Sequence, residues 1–372
     1  PVFGDRHGRS IPLRMKIVLM TIAAMLLGTG CVEVTTMPIA PSQGTSSAAQ
    51  SVQTQVDIAQ TPPALTLADV AAMTVTEADL DVDTDFELAT HTTYFASSPN
   101  GIDWTLRSEP IARHASVPEL VALAQPLEPF PAGALLTYFV DGTQNHGAED
   151  LGLGLIYSLD GGETWSDRLY TTMEGAPSNT VVVDPSLVTL ADGTLRLYYY
   201  DFPAGPPMPG SPLPQVNEFH SAISVDGVNF VYEGLVYSTS TMVTDPDLVQ
   251  FNGAWRMYFM SHSDASMAVS VSDNPTRFSS KQKVNDTGIP GVIVVGDEVW
   301  LFSCGMDAVT RLVSSDGVTF ATADSSVVHV SPGIHCDPSP ARLSDGTYSM
   351  VFKHIRAQDM KQMRPPTQPP TP

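Results

Sequence analysis

The chain has 372 residues, 42% of them hydrophobic, which is enough for one large folded domain. Lysine and arginine number 18 against 40 aspartates and glutamates, a formal net charge of −22. That balance excludes a nucleic-acid binder, whose phosphate partners need a basic face, and leaves solubility or attraction of a cation as its consequences.

Taken in chain order, residues 1–14 read as an upstream extension ahead of Met15. Lys16 is followed by the apolar run Ile17 to Leu27 and then by Gly28-Thr29-Gly30-Cys31. The run is too short to span a bilayer and has the length of a signal h-region. Small residues ahead of a cysteine resemble the lipobox of bacterial lipoproteins, with Gly28 where that motif prefers Leu. The resemblance implies that residues 15–31 are a lipoprotein signal ending in a lipidated Cys31. Membrane attachment is then through the lipid anchor only. Val32 stands where an aspartate retains such proteins in the inner membrane, so the outer membrane of a bacterial cell envelope is expected, on its periplasmic face or at the cell surface. An ordinary secretory signal is the alternative. Residues 32–63 are rich in Ser, Thr, Gln, Ala and Pro and read as a flexible tether. Residues 64–88 form a lead-in segment in which Ala64 to Met73 suits either a short helix or a strand. Residues 357–372 are proline-rich and read as a disordered tail.

Between these ends, residues 89–356 carry a repeat. Val183-Asp184-Pro185-Ser186-Leu187 opens a strand, Asp192-Gly193 turns the chain, and Leu195 to Tyr200 form a second strand rich in Tyr and Leu. Proline is expected at the start of a strand, because it has no N–H for the ladder. The same X-Pro unit recurs at Val117-Pro118, Asp245-Pro246, Ile289-Pro290 and Asp337-Pro338, at intervals of 67, 61, 44 and 48 residues. Strand repeats of this length signal a β-propeller.

A second repeat interleaves with the first. Ser158-Leu159-Asp160-Gly161-Gly162-Glu163-Thr164-Trp165 fits the pattern Ser-x-Asp-x-Gly-x-Thr-Trp in full. It resembles the Asp-box of sialidases and many other propellers, a folding device between the third and fourth strands of a blade. Weaker copies stand at 97–104, 224–230, 272–278 and 314–320. Five X-Pro pairs and five Asp-box-like pairs, starting with the latter and ending with the former, predict an all-β, five-bladed β-propeller. Its fifth blade is closed by N- and C-terminal strands, which removes the open sheet edge. A β-sandwich is the competing fold. Cys304 and Cys336 lie on successive repeats and are expected to be either bonded or two buried thiols.

The first strand of each blade lines the channel of a propeller. Alternation then pairs Val117 with Glu119, Asp184 with Ser186, Asp245 with Asp247, Ile289 with Gly291 and Asp337 with Ser339 at its mouth. Carboxylates gathered there raise one another's pKa or recruit a cation. Blade number and repeated Asp-Pro starts resemble the five-bladed furanosidase superfamily, glycoside hydrolase families 43 and 32. The resemblance implies hydrolysis of glycosidic bonds by two carboxyl groups. In the arabinanase-like pattern a base aspartate sits in the first repeat, a tuning aspartate in the middle, a Glu-x-Pro acid follows, and a Gly-His near the end faces the axis beside a metal. Asp245 matches the middle aspartate and His335 the late histidine, one residue displaced from its glycine, while Val117 stands where the base belongs and Gly288-Ile289-Pro290 where the Glu-x-Pro acid belongs.

Asp184, Asp245, Glu218 and Glu119 are therefore the catalytic candidates. Asp247, His220, His262 and Asp337 are candidates for ligand binding, and His335 for a metal. Glu119 and Glu218 have a solvated surface role as their alternative, and the Asp-Pro aspartates a turn-capping one. No cofactor is required on this reading; calcium at the propeller axis is the one cation the resemblance offers. The expected partner is a glycan or oligosaccharide, and a monomer is expected. The expected function is a surface-anchored glycan-active propeller, possible glycosidase chemistry resting on the funnel carboxylates. The alternatives are a non-catalytic propeller binding a carbohydrate or a protein, and a structural lipoprotein.

Overall fold

The computed structural model describes residues 64–84, 86–143, 153–178, 180–202, 216–286 and 288–361. The extension, the signal with Cys31, the tether, the tail beyond 361 and the loops 144–152 and 203–215 lie outside the described residues.

The described chain is a five-bladed β-propeller. Blade 1 runs from its inner strand Ala115–Ala122 through Leu135–Asp141 and Gly154–Ser158 to Leu169–Tyr170. Blade 2 has the inner strand Val182–Thr189, then Leu195–Asp201, Asn217–Ser224 and Asn229–Thr239, with Thr172–Glu174 added in parallel at its outer edge. Blades 3 and 4 begin at Val243–Phe251 and Pro290–Val295. Blade 5 joins the two ends of the fold. Its inner strands Gly333–Arg342 and Tyr348–Arg356 come last in sequence, and Thr92–Ser98 and Thr105–Leu106 come first. Tyr94 pairs with Phe352 and Thr93 with Lys353 across that seam.

Apolar side chains fill each interface between neighbouring blades. Leu136 and Tyr138 of blade 1 meet Leu197 and Tyr199 of blade 2, and Tyr198 and Phe219 of blade 2 meet Met257 and Phe259 of blade 3. The tyrosines of the repeat are core residues, 0–2% exposed. Phe95, Leu120 and Val351 fill the interface that closes the ring. In the lead-in segment, Leu67–Ala72 is a helix. Thr66 and Asp69 cap it reciprocally, each side chain accepting the other's backbone N–H. Its Val70 is buried in the core shared by blades 1 and 2. Cys304 and Cys336 are bonded.

The Asp-box turns behave as their sequence predicts. Asp160 Oδ1 accepts the Thr164 N–H at 2.9 Å and the Ser158 hydroxyl at 2.8 Å, and Trp165 Nε1 donates to the Gly162 carbonyl at 3.1 Å. Gly162 has φ 96°, and a Cβ there would come within 2.4 Å of the Phe95 ring. In two copies an asparagine does the same work: Asn100 accepts the N–H groups of Ile102 and Asp103, and Asn274 that of Thr276.

The inner strands depart from the sequence expectation. Four begin before their X-Pro pair, so Pro118, Pro185, Pro246 and Pro338 lie inside strands; only Pro290 starts one. The reason is a bulge. The pairing register slips at Ser116/Glu119, Thr244/Asp247 and Cys336/Ser339, and opposite Tyr198/Tyr200 in blade 2. The residue before each proline takes a left-handed conformation, with φ 47° at Val117, 52° at Asp184, 55° at Asp245 and 50° at Asp337. The bulge removes the proline from the ladder, so its missing N–H leaves no bond unmade. It also breaks the simple alternation that paired X with X+2 on one face.

The Asp226 turn gives a test. Its Oδ1 accepts from Val228 N, Asn229 N and Ser224 Oγ at 2.9, 2.7 and 3.0 Å, and its Oδ2 from Asn229 Nδ2 at 2.8 Å. Asp226→Ala is expected to cost about 1.5–3 kcal/mol in urea unfolding at pH 7. A loss under about 0.5 kcal/mol would show that the carboxylate does not hold the turn.

Candidate functional site

The five inner strands converge on a narrow axial channel. The X and Pro residues of all five X-Pro pairs line it, together with Glu119 and Asp247. The free space among them is ≈ 20 Å³. That admits about one water and is far below the roughly 300 Å³ at which small-molecule pockets begin.

Two sets of side chains meet here. In the first, the X+2 residue of a blade ties it to the next. Glu119 Oε1 accepts the Leu187 N–H at 2.9 Å, Asp247 Oδ2 the Val292 N–H at 2.6 Å, and Ser339 Oγ the Leu120 N–H at 2.8 Å. Ser186 Oγ donates to Asp247 Oδ1 at 3.1 Å. At the remaining seam the X+2 residue is Gly291, where a Cβ would come within 1.6 Å of the Pro338 carbonyl oxygen. Glu119 is thus a buried seam residue, 8% exposed, and not a solvated surface group. Burial raises its pKa well above the usual range, reinforced by Asp247; the bonds from Leu187 and Ser339 oppose the shift. Burial likewise pushes Asp247 up to about 7.

The second set is Asp184, Asp245, Asp337 and Lys353. Asp184 Oδ2 accepts the Asp245 N–H at 3.2 Å, and Lys353 Nζ forms an ion pair with Asp337. All four are buried. Burial and then Asp337 push Asp184 up to about 7. Burial and the charges of Asp184 and Asp337 raise Asp245 well above the carboxylate range. The Lys353 ammonium is raised, its attraction to Asp337 outweighing its burial. Thr244 Oγ1 donates to Asp245 and lies 2.8 Å from His262 Nε2, so the imidazole N–H reaches Asp245 through one hydroxyl.

Calcium takes six to eight oxygens. At this axis an ammonium already stands against Asp337, and the other two carboxyls favour their protonated forms. The residues present do not fit a resident calcium ion, and no step is derived through one.

The other candidates lie apart from this cluster. Glu218 and His220 sit on the third strand of blade 2. His220 Nε2 is 3.2 Å from Glu218 Oε2 and 3.9 Å from Asp201 Oδ2, and its Nδ1 is 2.8 Å from the Tyr232 hydroxyl. Glu218 is therefore not brought together with Asp184 and Asp245. His335 stacks on His329 and Phe352 beside His354, and its Nε2 accepts the Val330 N–H at 3.0 Å. Burial and the two neighbouring histidines lower its pKa to about 4. Its Nδ1 is buried with no hydrogen-bond partner.

Three residues escaped the sequence reading. Lys353 was visible only as a lone cation in the apolar run Tyr348 to Ile355. His91 is buried, with Nδ1 2.8 Å from Ser116 Oγ, directly before Val117. Burial and Lys353 hold it well below its usual pKa, a neutral ring. Glu87 lies in the 3-10 turn Glu87–Thr90 that leads to His91. Burial pushes it up to about 7, against the pull of Lys353. Leu88 seats this turn against Gly142, where a Cβ would come within 2.6 Å of the Leu88 carbonyl oxygen.

These shifts set how stability depends on pH. Glu87, Glu119, Asp184, Asp245 and Asp247 keep protons in the folded state that the unfolded chain releases near pH 4, so each lowers stability as pH rises through its folded pKa. His91, His262, His335 and His354 are depressed and act oppositely, but only below about pH 6.5. Above that pH the carboxyls alone remain. The Tm is expected to fall between about pH 6.5 and 8.5, and Asp184→Asn to make the fall shallower. A flat or rising profile in the parent protein would contradict the assignment.

No family model matches the chain, and no curated protein matches it. Solved structures do resemble it. An α-L-arabinanase of Penicillium chrysogenum, bound to arabinobiose, is 14% identical over 70% of this chain and 97% of its own, with a TM-score of 0.45. A family 117 glycoside hydrolase of Zobellia galactanivorans is 16% identical over 73% of this chain and 91% of its own, with a TM-score of 0.44. An endo-1,4-β-xylanase of Bacteroides thetaiotaomicron is 13% identical over 67% of this chain and 87% of its own, with a TM-score of 0.48. At these identities, and with TM-scores below 0.5, the likeness carries nothing about activity; the five-bladed β-propeller rests on the strand topology described above.

Proposed function

We propose that the chain is a glycan-active propeller that hydrolyses a glycosidic bond by general acid–base chemistry at its axis, with Asp245 and Asp184 as the reacting carboxyl groups. One observation carries this reading: Asp184 and Asp245 are buried side by side at the axis, Asp184 Oδ2 accepting the Asp245 N–H at 3.2 Å, next to the Lys353–Asp337 ion pair. Burial and the charges of Asp184 and Asp337 raise Asp245 well above the usual carboxylate range, which suits the acid that protonates a leaving oxygen. Asp184, pushed up to about 7, suits the base that activates water. Lys353 forms an ion pair with Asp337 and limits the charge that builds up when Asp184 loses its proton. The repeat pattern's resemblance to the furanosidase superfamily supports a glycan as the ligand. The reading includes anchorage to the outer membrane through a lipidated Cys31 and a monomeric state, both resting on sequence alone.

A second reading is a non-catalytic propeller that binds a glycan or a protein partner at the same mouth. The ≈ 20 Å³ of free space favours it, as do Val117 and Ile289 at two of the five axial positions.

Hydrolysis of aryl arabinofuranosides, xylosides, fructosides and sialosides separates the two. The enzyme reading expects turnover with a pH profile that rises near 7. It also expects a loss of at least about 10²-fold in kcat for Asp245→Asn and for Asp184→Asn, each shown to be folded. No turnover on any member by the folded protein would leave the binding reading, which a glycan array then tests.

A further inference from the structure

Beside the acid–base cluster lies a group with different chemistry. Among the described residues, the Sγ atoms of Cys304 and Cys336 and a carboxylate oxygen of Asp337 all lie within 4.8 Å of one another. The two sulfurs are now a disulfide. Their neighbourhood does not depend on that bond. Gly305 and His335, each one residue from a cysteine, exchange both backbone hydrogen bonds at 2.9 Å, which clamps the two segments side by side. Cys336 and Asp337 are buried, and Cys304 is partly exposed. Asp337 is 5% exposed; its Oδ2 faces Lys353, and its Oδ1 is buried with no hydrogen-bond partner. A buried carboxylate with an unpartnered oxygen, placed beside two sulfurs, supplies three donors of a coordination shell.

We propose that, once the cystine is reduced, Cys304, Cys336 and Asp337 form a site for a thiophilic divalent cation, Zn²⁺ being the best fit. Two thiolates and a carboxylate are three ligands of a tetrahedral shell whose fourth position is left to water. A hard cation such as calcium has no use for the sulfurs. The chemistry balances. A dithiol reductant supplies two electrons and two protons, opening the S–S bond to two thiols and leaving as its own disulfide. Metal binding then releases the two thiol protons. The charges balance as well: two thiolates, one carboxylate and a divalent cation sum to −1, beside the Lys353 ammonium. A metal on Asp337 shares that carboxylate with Lys353, whose ammonium is also attracted by Asp184 and Asp245. The redox state of one cystine thus sets the charge at the axis. This site stands whether or not the axis is catalytic.

The test uses the full chain carrying Cys31→Ser, so that Cys304 and Cys336 are its only cysteines. The protein is reduced with a dithiol, freed of it under argon, checked for β-sheet by far-UV circular dichroism, and titrated with Co²⁺ alone. The reduced protein is expected to take up one equivalent and to show a sulfur-to-cobalt charge-transfer band. The oxidised protein should show none, and Cys304→Ser should lose the band. Asp337→Asn should weaken the apparent affinity by roughly tenfold or more. Absence of the band from the reduced protein overturns the proposal. A band that Asp337→Asn leaves unchanged in affinity also overturns it. If reduction unfolds the chain, Co²⁺ should restore the sheet signal, and failure to do so overturns it equally.

Discussion

Five sheets set around an axis close into a ring only if each inner strand is tied to the next where they come nearest. Here the tie is a side chain at X+2 accepting from the following blade: Glu119 from Leu187, Asp247 from Val292, Ser339 from Leu120. Where that side chain would collide, at Gly291, it is absent. The bulge at four of the five X-Pro pairs goes with this arrangement. It turns the strand so that X, Pro and X+2 of blades 1 and 3 all reach the channel, and lets a proline sit within a strand. Two carboxylates that looked like chemistry in the sequence are thereby seam residues, and the candidates for chemistry narrow to the X positions.

Those positions are held by a second constraint, the cost of buried charge. Glu119, Asp184, Asp245, Asp247 and Asp337 line a space with room for about one water, and the Lys353 ammonium pairs with the last of them. They cannot all ionise, because the field of each opposes the next in a poorly solvated place. The ion pair of Lys353 with Asp337 fixes one charge, and the proton affinity of the rest rises. Burial and the mutual repulsion of these carboxyls set that proton affinity. The same crowding narrows the mouth, so the feature that favours catalysis also favours a surface that only binds.

What the sequence disclosed was whatever the chain specifies locally. The turn from Ser158 to Trp165 is complete within eight residues, each bond made by a neighbour, so its motif was legible and its geometry followed. Blade number and ring closure were legible because two local motifs recur in phase. The bulges were not, because Val117 is β-branched and nothing local announces a left-handed conformation there; the neighbouring strands impose it. The seam role of Glu119, a catalytic candidate in the sequence, was not legible there because its partner Leu187 lies 68 residues away. Lys353 was missed for a similar reason: its role depends on Asp184, Asp245 and Asp337 from three different blades. Residue type showed that carboxylates gather at the axis, and only packing showed which of them are tied and which keep a proton.

The closed fifth blade has a kinetic side. Thr92 Oγ1 donates to the His354 carbonyl oxygen, a contact between residues 262 apart, and seven pairs of the same ladder join residues 92–98 to residues 348–354. The strand Thr92–Ser98 is made early during synthesis; Thr105–Leu106 and Ala112–Arg113 pair with one side of it, and its other side stays open until Tyr348–Arg356 exists. Until then it presents unpaired backbone groups with Tyr94 and Phe95 beside them. Contacts this distant in sequence are slow to form, and an edge that must wait is open to other chains. Four blades therefore stand completed while the ring is still open, and the interval before the last strand docks is when this protein is most exposed to aggregation.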